Sequence, residues 1–348
     1  MRAVVTIAPG RMEVQEVDEP IPGAGEILID VETAGVCGSD IHIYEGRRPN
    51  LPYPQVQGHE VVGTVRAKGP NTADSPPVGA RVAVEPIVPC GTCFACRRGF
   101  ENCCSSLRVL GVHLPGGFAE RMIVPAHRSY DVGDLPADIA VLIEPYSIGL
   151  QAVSRANVSP GDTVVIMGAG AVGRAVVLAA VERGARVLVI DREPLRLSFA
   201  AKLGAEKTVN SRTEDVAAAV AQFADVDGAA VVIEATGAAQ VIRDALDLVA
   251  PSGTVVIVGV SDDDVMIPIG LLTHKEINIL GSRNNRGLFA VAVQHVSRHR
   301  ELLSSLVSHR FALADVENAL IFARDNPAIV TKAIIEVGGP SVEPIPIA

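Results

Sequence analysis

The chain has 348 residues, and a domain size of roughly 100–200 residues predicts two domains. Its formal net charge of −10 argues against a nucleic-acid partner, because proteins that bind the phosphate backbone usually present a basic face. No apolar run approaches the roughly 18 residues of a membrane-spanning helix, and residues 1–7 are typical of a strand rather than a signal peptide, so we expect a cytoplasmic chain with no membrane partner.

Up to residue 145 the sequence predicts a domain of mostly antiparallel strands. Short β-branched runs, such as 27–31 and 61–65, alternate with Gly and Pro. These two residues favour turns, so the pattern indicates many short strands joined tightly.

Four side chains of this region are candidate metal ligands or catalytic groups: Cys37, His59, Glu60 and Glu144. Each also has an ordinary structural explanation. A single Cys is usually a small core residue, a His-Glu pair usually faces solvent, and Glu144 before Pro145 is typical of a helix start. Their spacing alone does not group them into one site.

Residues 90–104 contain five cysteines in fifteen positions: Cys90, Cys93, Cys96, Cys103 and Cys104. Four thiolates form a closed tetrahedral zinc site, which stabilises structure and leaves no open position for chemistry. Redox-active or unligated thiols are the alternative, which we disfavour because bunched thiols need a partner. The spacing leaves open whether Cys103 or Cys104 is the fourth ligand.

Beyond residue 161 the pattern changes to alternating strands and helices. Predicted strands at 163–167, 186–191, 229–234 and 253–259 alternate with predicted helices at 171–183 and 239–249. This order is typical of a doubly wound parallel sheet. After residue 281 the signals mix again, and they end in a strand at 331–337 and a Pro-rich tail.

A dinucleotide-binding fingerprint, Gly168-Ala-Gly170-Ala-Val172-Gly173, lies between the first strand and the first helix of that region. Its glycines allow a tight turn and close approach to a pyrophosphate, and the helix N-terminus supplies partial positive charge. A Gly-rich turn without a ligand is the alternative, which the flanking strand and helix disfavour.

Asp191 ends the next predicted strand, 18 residues after Gly173. Its carboxylate would accept hydrogen bonds from the adenosine ribose hydroxyls and repel a 2′-phosphate, so we predict NAD rather than NADP as the cofactor. Arg192 tempers this prediction, because a guanidinium there accommodates a 2′-phosphate. We place Arg192 and Arg196 in the cofactor site together with Val172.

Taken together, the motifs resemble the zinc-containing medium-chain alcohol dehydrogenase family over essentially the whole chain. Segments 35–42 (Gly-Val-Cys-Gly-Ser-Asp-Ile-His) and 58–63 (Gly-His-Glu-Val-Val-Gly) are similar to the family's two catalytic-zinc segments. Ile143-Glu144-Pro145 resembles the polyol (sorbitol) dehydrogenase branch, in which a Glu replaces a cysteine ligand. Segments 102–120 and 281–284 most resemble bacterial sugar-acid and polyol members of the L-galactonate 5-dehydrogenase type.

The resemblance implies an α/β fold in which a Rossmann doubly wound parallel sheet is inserted into a mostly-β GroES-like catalytic domain. The implied parts are a catalytic domain at 1–145 with a structural zinc lobe at 90–104, an NAD-binding domain at 146–281, and a C-terminal part at 282–348 that completes the catalytic domain. A homodimer or homotetramer with a catalytic and a structural zinc ion in each subunit is implied as well.

By the same resemblance, Cys37, His59 and a carboxylate hold the catalytic zinc, and Cys104 completes the structural site. Glu60 and Glu144 remain alternatives for the carboxylate ligand.

The resemblance also implies a proton path from Ser39 through the nicotinamide ribose to His42. A surface histidine with no role is the alternative for His42, because water often bypasses the last member of a relay. Phe118 and Arg283 are weaker candidates for substrate contact, with packing or exposure as the alternative. Ile43 stands where similar sorbitol dehydrogenases carry a tyrosine near the substrate, which argues against sorbitol itself.

The expected reaction is hydride transfer between NAD(H) and a secondary alcohol or ketone, with a polyol or sugar acid as the expected substrate. Threonine and simple secondary alcohols are alternatives, because the same apparatus serves them. A regulatory nucleotide-binding protein without turnover is a further alternative. This last alternative is disfavoured because packing does not require all five of the residues that the site would use: Cys37, Ser39, His42, His59 and Glu60.

Overall fold

The computed structural model describes residues 1–48, 50–224 and 227–338. The chain divides into two compact units: Met1–Glu144 together with the segment from Phe289 onward, and the intervening Pro145–Leu288. The second unit ends at Leu288 rather than at the predicted residue 281. The segment after its last strand remains bonded to it, since Ser282 N donates to Ile257 O at 2.9 Å. The Pro-rich tail, from residue 339 onward, lies outside the described residues.

Residues 1–144 form short strands joined by tight turns, as their Gly- and Pro-punctuated runs predict. The strands are β1 (Arg2–Ala8), β2 (Arg11–Glu16), β3 (Glu26–Gly35), β4 (Gln55–Val56), β5 (Glu60–Lys68), β6 (Arg81–Val84), β7 (Ile87–Val88), β8 (Arg108–Val109), β9 (Arg121–Pro125) and β10 (Ser129–Asp131). The helices are α1 (Gly38–Tyr44), α2 (Phe94–Arg97), α3 (Ala137–Ala140) and α4 (Ile143–Ala156), which continues into the second unit.

The second unit alternates strands and helices. Its strands are β11 (Thr163–Met167), β12 (Arg186–Asp191), β13 (Lys207–Asn210), β14 (Ala229–Glu234), β15 (Val249–Ile257) and β16 (Asn278–Gly281). Its further helices are α5 (Ala171–Glu182), α6 (Pro194–Lys202), α7 (Val216–Phe223), α8 (Ala239–Leu248) and α9 (Ile269–Lys275).

These strands pair in parallel in the order β13-β12-β11-β14-β15-β16. Numbered along the chain, this is the order 3-2-1-4-5-6 of a doubly wound sheet, which confirms the predicted fold class. The central strand β11 is covered on both faces, as its wholly buried Val164, Val165 and Ile166 require. The strand order reverses between β11 and β14, so a ligand crevice is expected at the carboxyl ends of these two strands.

Strand β15 begins at Val249, earlier than the predicted start at residue 253. The sequence Pro-Ser-Gly at 251–253 is typical of a turn, but Ala229 already pairs with Val249. After an irregularity the ladder resumes with Val231 opposite Thr254. Pairing with β14 therefore overrides the local turn signal.

The last described segment returns to the first unit. It comprises α10 (Phe289–Arg298), α11 (Arg300–Ser304), β17 (His309–Ala312), α12 (Val316–Asp325) and β18 (Ala333–Glu336). Strand β18 pairs antiparallel with β3 and parallel with β17, which gives the sheet order β10-β6-β5-β3-β18-β17, with β9 also on β3. The C-terminal segment thereby completes the sheet that residues 1–144 begin.

Each unit has its own apolar core. In the first unit the buried cluster joins the N-terminal strands to the C-terminal segment through residues such as Ile29, Phe311 and Ile335. In the second unit a separate cluster lies against the parallel sheet and includes Val165 and Leu188. Among the described residues, no helix is both long enough and apolar enough to cross a bilayer.

Candidate active site and metal centres

Three strands of the first unit meet at Gly35, the last residue of β3. Gly35 lies opposite Glu60 in the ladder with β5 and opposite Ile334 in the ladder with β18. The segment that follows β3 and the segments that precede β5 and β18 therefore converge at the same end of these three strands, which is the edge referred to below. A Cβ atom on Gly35 would collide with the Glu60 carboxylate and crowd Lys332, so glycine leaves room for these two side chains.

Cys37, His59 and Glu60 form a cluster at this edge, with one ligand atom from each lying within 4.8 Å of the others. His59 and Glu60 are buried, and Cys37 is half-buried just before α1. Thiolate, imidazole and carboxylate are donors that zinc takes in catalytic sites, where three protein ligands leave one position open. The side chains present therefore fit a catalytic zinc ion.

Asp40 lies behind the imidazole of His59. Its Oδ1 atom lies 3.5 Å from His59 Nδ1, and its Oδ2 atom accepts a hydrogen bond from Cys37 N at 2.9 Å. Asp40 is wholly buried, and its backbone carbonyl accepts a hydrogen bond from Gln57 Nε2 at 2.9 Å. A carboxylate behind a ligating histidine fixes the ring and raises its basicity, which leaves Nε2 as the metal-binding atom.

The electrostatics of this cluster favour a cation. Burial lowers the pKa of His59, but the carboxylate of Asp40 and the sulfur of Cys37 outweigh it, so that the pKa lies well above its ordinary value. A proton on His59 thus supplies positive charge that the buried acidic groups attract. A bound metal ion would supply that charge instead, because imidazole must be deprotonated to act as a ligand.

The two candidate carboxylates differ in their surroundings. Glu60 forms a buried ion pair with Lys332, whose ammonium also donates to Val36 O at 3.1 Å. Glu144 is buried but does not belong to the 4.8 Å cluster. Burial raises the pKa of Glu144 to about 7, although His59 opposes the shift. The structure thus brings Glu60 to the cluster, and the choice of the ligand between these two carboxylates stays a prediction.

Ser39 and His42 lie three residues apart on α1 and therefore share a helix face. Ser39 Oγ is 3.3 Å from His59 Nε2, which places the hydroxyl at the cluster. Burial, together with the positive charges of Arg47 and Arg48, lowers the pKa of His42. His42 is consequently neutral at pH 7 and able to accept a proton.

The residues considered for substrate contact have different surroundings. Ile43 and Phe118 are both completely buried, and a Cβ atom on Gly58 would lie 2.8 Å from the Phe118 ring. Phe118 therefore packs behind the turn that carries His59. Arg283 is exposed on the loop after β16 in the second unit. Substrate contact by Phe118 or Arg283 stays a prediction.

A second cluster consists of cysteines in the lobe between β7 and β8. The sulfur atoms of Cys90, Cys93, Cys96 and Cys104 lie within 4.8 Å of one another. Cys104 is buried and accepts a hydrogen bond from Cys90 N at 3.2 Å, whereas Cys103 is exposed and lies outside the cluster. The backbone amide of Cys96 lowers the pKa of Cys93 to about 5, whereas burial and the neighbouring sulfur atoms raise the pKa of Cys96 to about 12. The four crowded thiols therefore need a cation to ionise together. This geometry fits a closed zinc site and favours Cys104 over Cys103 as its fourth ligand.

The fingerprint turn of the second unit follows the carboxyl end of β11. Gly168 has a φ of +102°, and a Cβ atom on Gly173 would overlap Gly168 O, so both positions require glycine. Ala169 N donates to Asp191 Oδ2 at 2.7 Å, and Glu193 N donates to Asp191 Oδ1 at 2.8 Å. Asp191 is thereby held beside the turn, where the ribose of a dinucleotide is expected.

The other predicted cofactor residues surround this turn to different extents. Gly170 is the N-cap residue of α5, and Val172 is half-buried in its first turn. The side chain of Arg192 is 67% exposed, with its Nε atom 3.6 Å from Glu193 Oε1. Arg196 is half-buried on α6. Their contact with a cofactor stays a prediction.

Sequence analysis missed Asp40 and Lys332, two buried residues of the metal site. Asp40 has a local signal, because it follows Cys37 by three residues and lies in the first turn of a helix. Lys332 has none, since 272 residues separate it from its partner Glu60.

The chain is similar to known proteins over most of its length. Two family models match the chain: the alcohol dehydrogenase GroES-like domain over residues 23–134 and the zinc-binding dehydrogenase over residues 171–298. L-galactonate-5-dehydrogenase of Escherichia coli (strain K12) is 34% identical over 316 residues, which cover 90% of this chain and 92% of that protein.

Two solved structures carry a nicotinamide cofactor. One is an alcohol dehydrogenase (rspB) from E. coli CFT073 complexed with NADH, which superimposes with a TM-score of 0.90 at 32% identity and covers 97% of this chain and 99% of its own. The other is a zinc-binding dehydrogenase from Sinorhizobium meliloti 1021 bound to NADP, with a TM-score of 0.89, 30% identity and the same coverage.

We predict that Cys104→Ser lowers bound zinc from about two ions to about one per chain and lowers the Tm, because a structural zinc site contributes folding free energy. Metal analysis and thermal unfolding measure these effects. Cys103→Ser is the matched control, since it alters the adjacent cysteine outside the cluster, and it should keep both ions. Loss of zinc from the control alone would show that the ligand is Cys103.

We predict that Cys37→Ser removes the other zinc ion and lowers turnover at least about a hundredfold, because the ion loses its only sulfur donor in that cluster. NADH binding should persist, because the fingerprint turn belongs to the second unit. Zinc content, turnover and NADH titration are measured on the same preparation. Retention of both zinc ions with full turnover would show that the assigned site is wrong.

Proposed function

The chain belongs to the zinc-binding alcohol dehydrogenase family, and from this premise we propose that it oxidises a secondary hydroxyl of a polyol or sugar acid, or reduces the corresponding ketone, with NAD(H). Membership confirms the resemblance predicted from the motifs and makes the chain a zinc- and nicotinamide-dependent oxidoreductase. The observation that carries the proposal for the site is the convergence of Cys37, His59 and Glu60, with Asp40 behind the imidazole.

Different side chains have different roles in the proposed reaction. Cys37, His59 and one carboxylate would hold zinc, which supplies a Lewis acid that lowers the pKa of an alcohol and favours hydride transfer to nicotinamide. Asp40 keeps the His59 ring in its ligating orientation. Ser39 Oγ accepts the alcohol proton as it releases its own, and the neutral imidazole of His42, on the same helix face, is the base at the far end of this path.

Two observations support a polyhydroxylated substrate. Glu144 stands where the polyol branch carries a glutamate, and it is buried beside the ligand cluster. The relative named L-galactonate-5-dehydrogenase matches nearly the full chain. Ile43 in place of a tyrosine disfavours sorbitol, so we propose a sugar acid or another polyol.

The test is NADH formation by the purified enzyme with polyols, aldonic acids, threonine and simple secondary alcohols. We expect the highest kcat/KM with a polyol or an aldonic acid, and we expect the Cys37→Ser variant to lose activity with every compound. Preference for threonine or a simple secondary alcohol would contradict the substrate class. Zinc-loaded enzyme that binds NADH and turns over none of these classes would contradict the enzymatic proposal.

We predict that kcat/KM with NAD exceeds that with NADP by at least about tenfold, roughly 1.4 kcal/mol. The Asp191 carboxylate would repel a 2′-phosphate, and Glu193 draws the Arg192 guanidinium towards its own carboxylate. The measurement compares initial rates with both cofactors at subsaturating concentrations. Equal or better turnover with NADP would show that the arginines near Asp191 outweigh its charge.

We further propose a homo-oligomer, a dimer or tetramer, built through the edge of the parallel sheet. Among the described strands β16 pairs only with β15, and large apolar side chains are exposed in the preceding segment: Val260 by 65%, Met266 by 89% and Ile269 by 70%. Light scattering should give two or four chains per particle, and Met266→Asp should shift the equilibrium towards the monomer. A monomeric wild type would contradict the proposal. We also propose a cytoplasmic location, because none of the six cysteines forms a disulfide and reducing compartments keep such thiols available for metal ligation.

A further inference from the structure

Arg174, the residue after the last fingerprint glycine, is buried in the second unit. Its side chain lies in the first turns of α5, and only 2% of the residue is exposed. The guanidinium donates from Nη1 to Ala169 O at 2.8 Å. Because arginine is rarely buried unless its charge and donors are used, this position calls for a specific role.

The peptide groups of Ala169 are held by charged side chains on both sides. Arg174 donates to the carbonyl of Ala169, and Asp191 Oδ2 accepts from its amide at 2.7 Å. Arg174 comes from α5 and Asp191 from the end of β12, so two separate elements hold one residue of the turn. We call this arrangement the Ala169 clamp.

The turn needs such a restraint. Ala169 lies between Gly168, at a φ of +102°, and Gly170, and glycine loses more conformational freedom on ordering than any other residue. A diphosphate binds well only when the amides of the turn already point towards it. If the turn is already ordered, binding does not have to offset the conformational entropy that the turn would lose on becoming ordered.

The charges around Arg174 also suit an anion. Among the charged groups that act on it, Arg196 repels the guanidinium and Asp191 attracts it. Burial and Arg196 lower the pKa of Arg174 to about 10, so the guanidinium remains charged at pH 7. Arg174 and Asp191 both contact Ala169, so a guanidinium and a carboxylate hold the same peptide segment, and the positive charge of Arg196 lies close enough to act on Arg174.

We propose that the Ala169 clamp preorganises the turn for the diphosphate of the cofactor, with Arg174 as a positioning residue that acts through the Ala169 peptide. The proposal rests on the proposed cofactor role of the fingerprint turn. In this proposal Asp191 has a second role besides its contact with the ribose. A substitution that removes its acceptor would make the turn less ordered and would also weaken the preference for NAD over NADP.

The test measures the affinities of the full-length, zinc-loaded enzyme for ADP and for adenosine, by competition with NADH in fluorescence titrations. ADP carries the diphosphate and adenosine does not. The variants are Arg174→Met, Arg174→Lys and the matched control Arg183→Met, which removes an exposed arginine at the opposite end of α5. Circular dichroism and zinc content confirm that each variant is folded.

For Arg174→Met we expect affinity for ADP to fall about tenfold, the size of one lost charge-assisted hydrogen bond, while affinity for adenosine changes less than about twofold. KM for NAD should rise in proportion, with kcat at saturating NAD nearly unchanged. Arg174→Lys, which keeps the charge but not the planar donor, should lie between, and it carries the test if the methionine variant does not fold. Arg183→Met should match the wild type.

Unchanged affinity for ADP in a folded Arg174 variant would overturn the proposal, as would equal loss of affinity for ADP and adenosine, which would indicate general distortion. The proposed cofactor role fails in a different way: the wild-type enzyme itself would bind neither NADH nor ADP.

Discussion

The pairing of β3 with β5 on one side and β18 on the other is the constraint on which the metal site depends. At Gly35 the three strands are in register, so the residues just beyond their ends are forced together. Cys37 lies two residues after this point, His59 precedes Glu60, and Lys332 precedes β18. A one-residue slip of either ladder would turn these side chains to the other face of the sheet. The ligand cluster is thus a consequence of strand register rather than of local sequence.

Both candidate sites use buried charges to hold a shape before a ligand arrives. In the first unit Asp40 orients His59, and Lys332 pairs with Glu60. In the second unit the Ala169 clamp holds the fingerprint turn. A charge buried without a partner is costly, so these groups are stable only in arrangements where each finds its counterpart. The ion pairs and hydrogen bonds that satisfy these buried charges therefore also keep the side chains and the turn in the positions that bind a metal or a diphosphate.

How much of this was predictable depends on sequence separation. The cysteine lobe and the fingerprint are local, because their ligands or glycines lie within fifteen residues or fewer. Their chemistry is accordingly evident from spacing alone, although three-dimensional structure was needed to separate Cys104 from Cys103. The catalytic cluster joins side chains across a sheet whose register no local pattern specifies, and only the family resemblance connected Cys37 with His59. The position of Lys332 beside Glu60 could not be predicted for the same reason. Arg174 was hidden differently, because a single arginine within an otherwise apolar helix is expected to face solvent.

The central claim is that one chain holds two metal ions in different donor sets, one for structure and one for chemistry. Anomalous diffraction at the zinc absorption edge, from crystals of the zinc-loaded enzyme, tests it most directly. The account predicts one peak surrounded by the sulfur atoms of Cys90, Cys93, Cys96 and Cys104, and a second in contact with Cys37 Sγ and His59 Nε2. A map with the first peak alone, or with the second peak away from Cys37 and His59, would contradict it.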